Sequence, residues 1–246
     1  MTLQCLVKES TSHKIKGCPL KYKDVVDWNS DQATQFRAFF KSLSLETKTK
    51  SPEHEVENAL LEEFRKRIGS KKILHNIQPV LLHGNFFQMP TPLKASTHIP
   101  TYAEHSGGGI DMLARITSSE KEHIRLCVIE IKDENKAVES QKVAMSQAVT
   151  YATFIAELLT MQPDWMEFFM WHKSKLNRNS RRLDKYDIEV VTIMPEGNTE
   201  TFQNEILEIP GTNFKLHCHS LYYNPQKFLE TRNFEFSGTF LDEIKK

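Results

Sequence analysis

Three ionisable residues stand where a buried strand has little reason to carry them. Residues 124–132 read Ile-Arg-Leu-Cys-Val-Ile-Glu-Ile-Lys, and Leu126 to Ile129 is apolar and β-branched enough to be a buried central strand. Glu130 and Lys132 close it. A carboxylate and an ammonium there need partners or a ligand, because an uncompensated buried charge is costly. Two residues apart in a strand, they point to the same face. Upstream, residues 109–116 read Gly-Ile-Asp-Met-Leu-Ala-Arg-Ile, a second strand led by the acid Asp111. The polar segment Thr117–His123 is short enough to make the two strands an antiparallel hairpin. A turn centred near Glu120 sets Asp111 beside Ile129 or Glu130, and directly opposed Cβ atoms lie roughly 4.5–5.5 Å apart. Two carboxylates and a lysine then converge at the open end of the hairpin.

Such a cluster predicts a hard cation with a positive charge beside it. Carboxylate and carbonyl oxygens suit Mg²⁺, which keeps several waters and is held by one or two acids plus substrate phosphates. A neighbouring lysine can polarise an attacking water or offset charge growing on a phosphoryl group. The competing reading is a structural salt bridge at a sheet end, with Asp111 as a turn residue after Gly107-Gly108-Gly109. Those glycines lack a following Gly-Lys-Ser/Thr and are not a P-loop. They suit a tight backbone turn beside the cluster.

The elements around the hairpin must position it. Residues 1–29 show little periodicity and read as an irregular arm. Ser30–Leu45 has helical spacing, with Phe36, Phe39, Phe40 and Leu43 on one side. Ser51-Pro52-Glu53 is a helix start, with a capping serine, a first-turn proline and an acid at the positive end of the dipole. Val56, Leu60, Leu61, Phe64 and Ile68 make its apolar stripe. Residues 72–82 and Phe86–Met89 read as strand. Residues 90–109, with three prolines, three glycines and two histidines, read as a long loop entering the Asp111 strand. Ala137–Met161 is the longest helical stretch, and Pro163–His172 a second helix with Trp165, Phe168 and Phe169 inward. Asn177–Arg182 reads as loop, and Tyr186–Met194, Phe214–Tyr223 and Phe234–Phe240 as strands. This order predicts an α/β fold of the α+β mixed-sheet kind, a central mixed β-sheet flanked by helices. The division is an N-terminal arm and helix over 1–50 and a domain over 51–246, its core at 51–194.

The order and the acids together resemble the PD-(D/E)XK nuclease superfamily. Its core is a helix, a three-stranded meander, a long helix and a further strand, with an Asp on the second strand and Glu-x-Lys on the third. Asp111 and Glu130-Ile131-Lys132 match that signature. The residue before Asp111 is Ile110 rather than Pro, a position that varies in the family. Gln147-Ala-Val-Thr-Tyr151 on the long helix resembles the Gln-x-x-x-Tyr motif of the nuclease domains of bacterial recombination helicase–nucleases. Residues four apart share one helix face. The resemblance spans roughly Ser51 to Met194. It implies a restriction endonuclease-like core and metal-dependent phosphodiester hydrolysis. Asp111, Glu130 and the Ile131 carbonyl would hold Mg²⁺ or Mn²⁺, and Lys132 would position the attacking water. Glu57 of the preceding helix, or Glu53 in its place, would hold a second ion or a water. Gln147 and Tyr151 would orient the DNA backbone or the surroundings of the metal. DNA is expected over RNA because most relatives act on DNA.

Other features carry less. His217-Cys218-His219 puts both histidines on one strand face, and no second Cys/His cluster completes a tetrahedral zinc site. His98 and His105 lie in the loop before Asp111, within possible reach of the cluster. Trp28, Trp165 and Trp171 read as core or interface rather than stacking platforms. Residues 173–185 carry six basic residues against one acid, Asp184. Arg178, Arg181 and Arg182 there are the candidate phosphate contacts, a solvated basic loop being the alternative. Lysine plus arginine number 32, as do aspartate plus glutamate, so no global basic signal points to nucleic acid, although neutrality leaves room for a local groove. No apolar run approaches the roughly 18 residues of a membrane span, and the N-terminus lacks the apolar core of a secretory signal. The four cysteines are scattered, without Cys-x-x-Cys. A cytoplasmic protein with reduced thiols is expected, its partner nucleic acid, a homodimer being compatible. The alternatives are an inactive nucleic-acid-binding module of the same fold, or an interaction protein whose acid–lysine cluster is a salt bridge.

Overall fold

The computed structural model describes residues 2–12, 31, 52–65, 74, 76–82, 85–86, 89, 91, 93–95, 101–102, 108–117, 123–133, 140–170, 182–197, 203–238 and 240. Among them run α1 (Leu3–Ser12), α2 (Pro52–Arg65), β1 (Ile77–Pro79), β2 (Leu81–Leu82), β3 (Asn85–Phe86), β4 (Leu93–Lys94), β5 (Thr101–Tyr102), β6 (Met112–Thr117) and β7 (His123–Ile131). Then follow α3 (Gln141–Met161), α4 (Asp164–Met170), β8 (Arg182–Pro195), β9 (Glu205–Glu208), β10 (Lys215–Tyr223), α5 (Pro225–Thr231) and β11 (Phe236–Ser237). The fold is mixed α/β. One seven-stranded sheet has the order β1-β6-β7-β8-β10-β11, with β9 paired to β10. β1, β6 and β7 are antiparallel, and β7, β8 and β10 are parallel. The short pairs β2–β3 and β4–β5 lie off this sheet.

Strand alternation divides the core between the two faces. Leu113, Leu126, Val128, Ile188, Val190, Leu216 and Cys218 pack under α3, with Leu3, Leu6 and Val7 of α1 and Trp165 and Phe169 of α4. On the other face Ala114, Cys127, Ile129, Val191, Ile193 and Leu221 meet Val56, Leu60 and Phe64 of α2 and Phe228 of α5. α3 comes close to the sheet because Ala144, Ala148, Ala152 and Ala156, one turn apart, are all fully buried. Overpacking any of them costs about 1–3 kcal/mol.

The boundaries differ from the sequence reading in ways with physical causes. The segment read as an irregular arm contains α1, whose Leu3, Leu6 and Val7 have helical spacing and bury against α3 and β9. The long helix starts at Gln141 rather than Ala137, because the Ser140 hydroxyl accepts the Val143 N–H and caps it there. It stops before Pro163, which disfavours helical backbone in the preceding residue. β8 begins at Arg182, in register with His123, so the end of the segment read as loop is strand. β9 and α5 were not read from the sequence. α5 is capped by Asn224, whose Oδ1 accepts the Lys227 N–H at 2.9 Å, with Pro225 at its start. The expected strand at Phe234–Phe240 is only Phe236–Ser237. The expected helix over Ser30–Leu45, Trp28, His98, His105 and Trp171 lie outside the described residues apart from Asp31.

Candidate functional site

β6 and β7 pair with Met112 opposite Ile129. Continuing that register by one residue puts Asp111 opposite Glu130. Both lie on the face of Leu113 and Val128, beneath α3. The Asp111 Oδ2 atom accepts the Ile131 N–H at 2.8 Å, which fastens the acid to the end of β7. The Lys132 ammonium donates to Glu130 Oε1 at 2.8 Å and to Gln147 Oε1 of α3 at 2.7 Å. Lys132 and Glu130 are each only 4% exposed and Gln147 6%. The Lys132 backbone is held from β8 and β10: its N–H donates to Ile193 O, and its carbonyl accepts from the Tyr223 hydroxyl. A lysine fixed in this way is a preorganised charge, not a solvated side chain.

Tyr151, one turn beyond Gln147, reaches the segment that leads into Asp111. That segment doubles back on itself. Ile110 N–H donates to Met89 O, Thr91 N–H to Gly108 O and Gly108 N–H to Leu93 O. A Cβ at Gly108 would run into the Tyr151 hydroxyl and Leu93 O, so only glycine allows this close approach. Burial, then the charges of Glu130 and Asp111, push the Tyr151 hydroxyl up, against a backbone hydrogen bond at Ala95. Gln147 and Tyr151 thus lie, both buried, beside the acids and lysine.

Glu57 is carried by α2. α2 packs Val56, Leu60 and Phe64 on the opposite face of the sheet. Among the described residues, no three His, Cys, Asp or Glu side chains are gathered so as to hold a metal ion. The Glu53 side chain lies outside the description, as do Arg178, Arg181 and the Arg182 side chain.

Two polar groupings were missed by the sequence reading. On the α3 face, Thr192 is in register with Glu130, and Ser220 with Thr192. Asp111, Glu130, Thr192 and Ser220 thus form one row across four neighbouring strands. Gln141, in the first turn of α3, donates to Thr192 Oγ1 at 2.6 Å and to Ser220 Oγ. On the other face, Arg125 Nη1 donates to Glu189 Oε1 at 2.7 Å, and His219 Nε2 lies 2.9 Å from Glu189 Oε2. His217 Nε2 lies 2.6 Å from Asp187 Oδ1. The two histidines of His217-Cys218-His219 are thus each engaged by a carboxylate, while Cys218 packs in the core of the opposite face. Burial opposes ionisation of Glu189, but His219, then Arg125 and His217, outweigh it and hold its carboxyl below the usual range. The signal for both groupings was present: Glu189 and Thr192 interrupt the apolar run Ile188–Met194, as Glu130 ends the run in β7.

Comparison with protein-family models, with curated proteins and with solved structures finds no match to this chain.

Proposed function

We propose that Asp111, Glu130 and Lys132 form the centre of a metal-dependent nuclease with a PD-(D/E)XK-type core, hydrolysing phosphodiesters of nucleic acid, with DNA the expected substrate. The observation that carries this reading is the conjunction at the end of β7. Two acids stand opposite one another on one face, with a buried lysine held between Glu130 and Gln147. The order α2, antiparallel β1-β6-β7, α3, parallel β8 supports it, as does the position of the cluster. In open α/β sheets, ligands bind outside the carboxyl ends of the parallel strands.

The donor set suits Mg²⁺ or Mn²⁺: the carboxylates of Asp111 and Glu130 with the Ile131 carbonyl are hard oxygens of the kind these ions prefer. When bound, such an ion supplies Lewis-acid activation of a phosphodiester and a more acidic water. The chain's residues do the rest. Lys132 offsets negative charge as it grows on the phosphoryl group. Gln147 holds the ammonium, as a neutral acceptor that does not compete with substrate charge. Tyr151 and Gly108 fix the segment that delivers Asp111. Arg178, Arg181 and Arg182 are proposed to neutralise backbone phosphates, with no reading of bases. Glu57 is proposed to hold a second ion or a metal-bound water.

One observation favours a second reading, an inactive nucleic-acid-binding module of the same fold. Lys132 already balances the Glu130 charge, so this pair needs no cation. Cleavage separates the two readings. Supercoiled, linear and single-stranded DNA are incubated with the full chain and Mg²⁺ or Mn²⁺. The nuclease reading expects metal-dependent cleavage, lost in Asp111→Asn. Salt-sensitive DNA binding without cleavage by the wild type would establish the module instead.

A further inference from the structure

Gln141 is 1% exposed, Thr192 fully buried and Ser220 1% exposed. The Gln141 Oε1 atom is buried and makes no hydrogen bond. Both hydroxyls can donate or accept. With either orientation of the carboxamide, one end therefore takes both hydroxyls and the other takes neither. A buried polar group left half satisfied is no clear gain for stability, and apolar side chains of the same shape at all three positions would fold as well or better. The location gives such a group a use. Thr192 is in register with Glu130, and Gln141 lies on the same helix as Gln147, which meets Lys132. Six residues of helix rise about 9 Å, so the two carboxamides pin α3 at two points. One pin is on β8 and β10, the other at the end of β7.

We propose that Gln141 is a positioning residue for Lys132: by fastening the first turn of α3 to Thr192 and Ser220, it sets the helix so that Gln147 meets the ammonium. The proposal rests on the Lys132 site described above but not on that site cutting DNA. Its role is registry. Directional hydrogen bonds at its first turn fix the register of α3 on the sheet more narrowly than apolar packing, which has no direction. Lys132 then keeps one position between Glu130 and Gln147.

The test reads the Lys132 ammonium directly, by ¹H–¹⁵N correlation of lysine side chains in the full chain, with Lys132→Arg to assign the signal. In the wild type a slowly exchanging ammonium is expected. Gln141→Met, close in volume and unable to hydrogen-bond, should speed its proton exchange at least tenfold in a variant that still folds. Gln147→Ala should act on the exchange in the same direction. Thr192→Val, which removes one anchoring hydroxyl, gives the same readout should Gln141→Met not fold. Absence of a slow Lys132 signal in the wild type, or an unchanged exchange rate in the folded variant, would overturn the proposal. A merely structural glutamine would leave the Lys132 exchange unmoved, whatever the change in melting temperature. If the wild type cuts no DNA with either ion, the nuclease reading fails, and the ammonium measurement still decides the role of Gln141.

Discussion

Lys132 and Glu130 are bound to one another in a place with almost no water, and that governs how the site responds to substitution. Removing one partner leaves a buried charge alone, which costs about 3–5 kcal/mol, whereas removing both with apolar or neutral groups of similar size costs far less. Lys132→Met should therefore destabilise the fold by about that much in urea unfolding. Adding Glu130→Gln should recover most of the loss, and a double variant no more stable than the single one would show that the pair does not govern the site. Expecting a lysine truncation to leave the fold untouched, as a surface position would suggest, overlooks this burial. The sequence did disclose the pair. Glu130 ends an apolar run, the even spacing to Lys132 fixes a common face, and the polar turn around residue 120 gives the register to Asp111. Gln141 was hidden, because a glutamine at the start of a helix is ordinarily solvated, and only the approach of β8 and β10 shows where this one points.

Across three strands, β7, β8 and β10, Arg125, Glu189 and His219 form a chain of side-chain contacts on the face opposite the proposed site. Glu189 is held below its ordinary pKa, so folding favours its ionised form. The stability it contributes is present above the unfolded glutamate value, about 4.3, and is lost as pH falls through the lower folded value. Thermal melts between pH 7 and pH 2 should thus show a steep acid limb below about pH 4. Glu189→Gln should be less stable at pH 7 and have a flatter limb. An acid limb of the same slope in the variant would assign the loss to other carboxylates. Element by element, the long strands and α3 were legible because each carries many apolar residues in one period. α1 offers only Leu3, Leu6 and Val7, β9 buries only Leu207, and α5 has seven residues. Such short patterns are stabilised by what they pack on, which sequence period does not show.

Taken together, the described residues build one seven-stranded mixed sheet with helices on both faces, beside two short strand pairs, and among them no helix is long and apolar enough to cross a membrane. The thiols report on that packing. Cys5 is exposed, while Cys127 and Cys218 are free and buried. Burial, then the charge of Glu189, pushes the Cys127 thiol up. Burial, then Glu205 and Glu189, does the same for Cys218. Because the thiolate is the reactive form, iodoacetamide at pH 8 should label Cys5 in the native protein. Cys127 and Cys218 should label only in denaturant, as peptide mass mapping would show. Native labelling of Cys127 would mean that the central strands open far more readily than the packing implies.

The central claim is that Asp111 and Glu130 hold a divalent ion. Asp111→Asn tests it with little collateral damage, because the amide oxygen can still accept the Ile131 N–H while the charge is gone. The measurement is thermal unfolding of wild type and variant across a millimolar titration of Mg²⁺ and of Mn²⁺. At a hundredfold excess over the dissociation constant, linkage gives about 2.7 kcal/mol of added stability. That gain is expected in the wild type, and its loss in Asp111→Asn. Melts that neither ion moves, or an equal gain in both proteins, would contradict it.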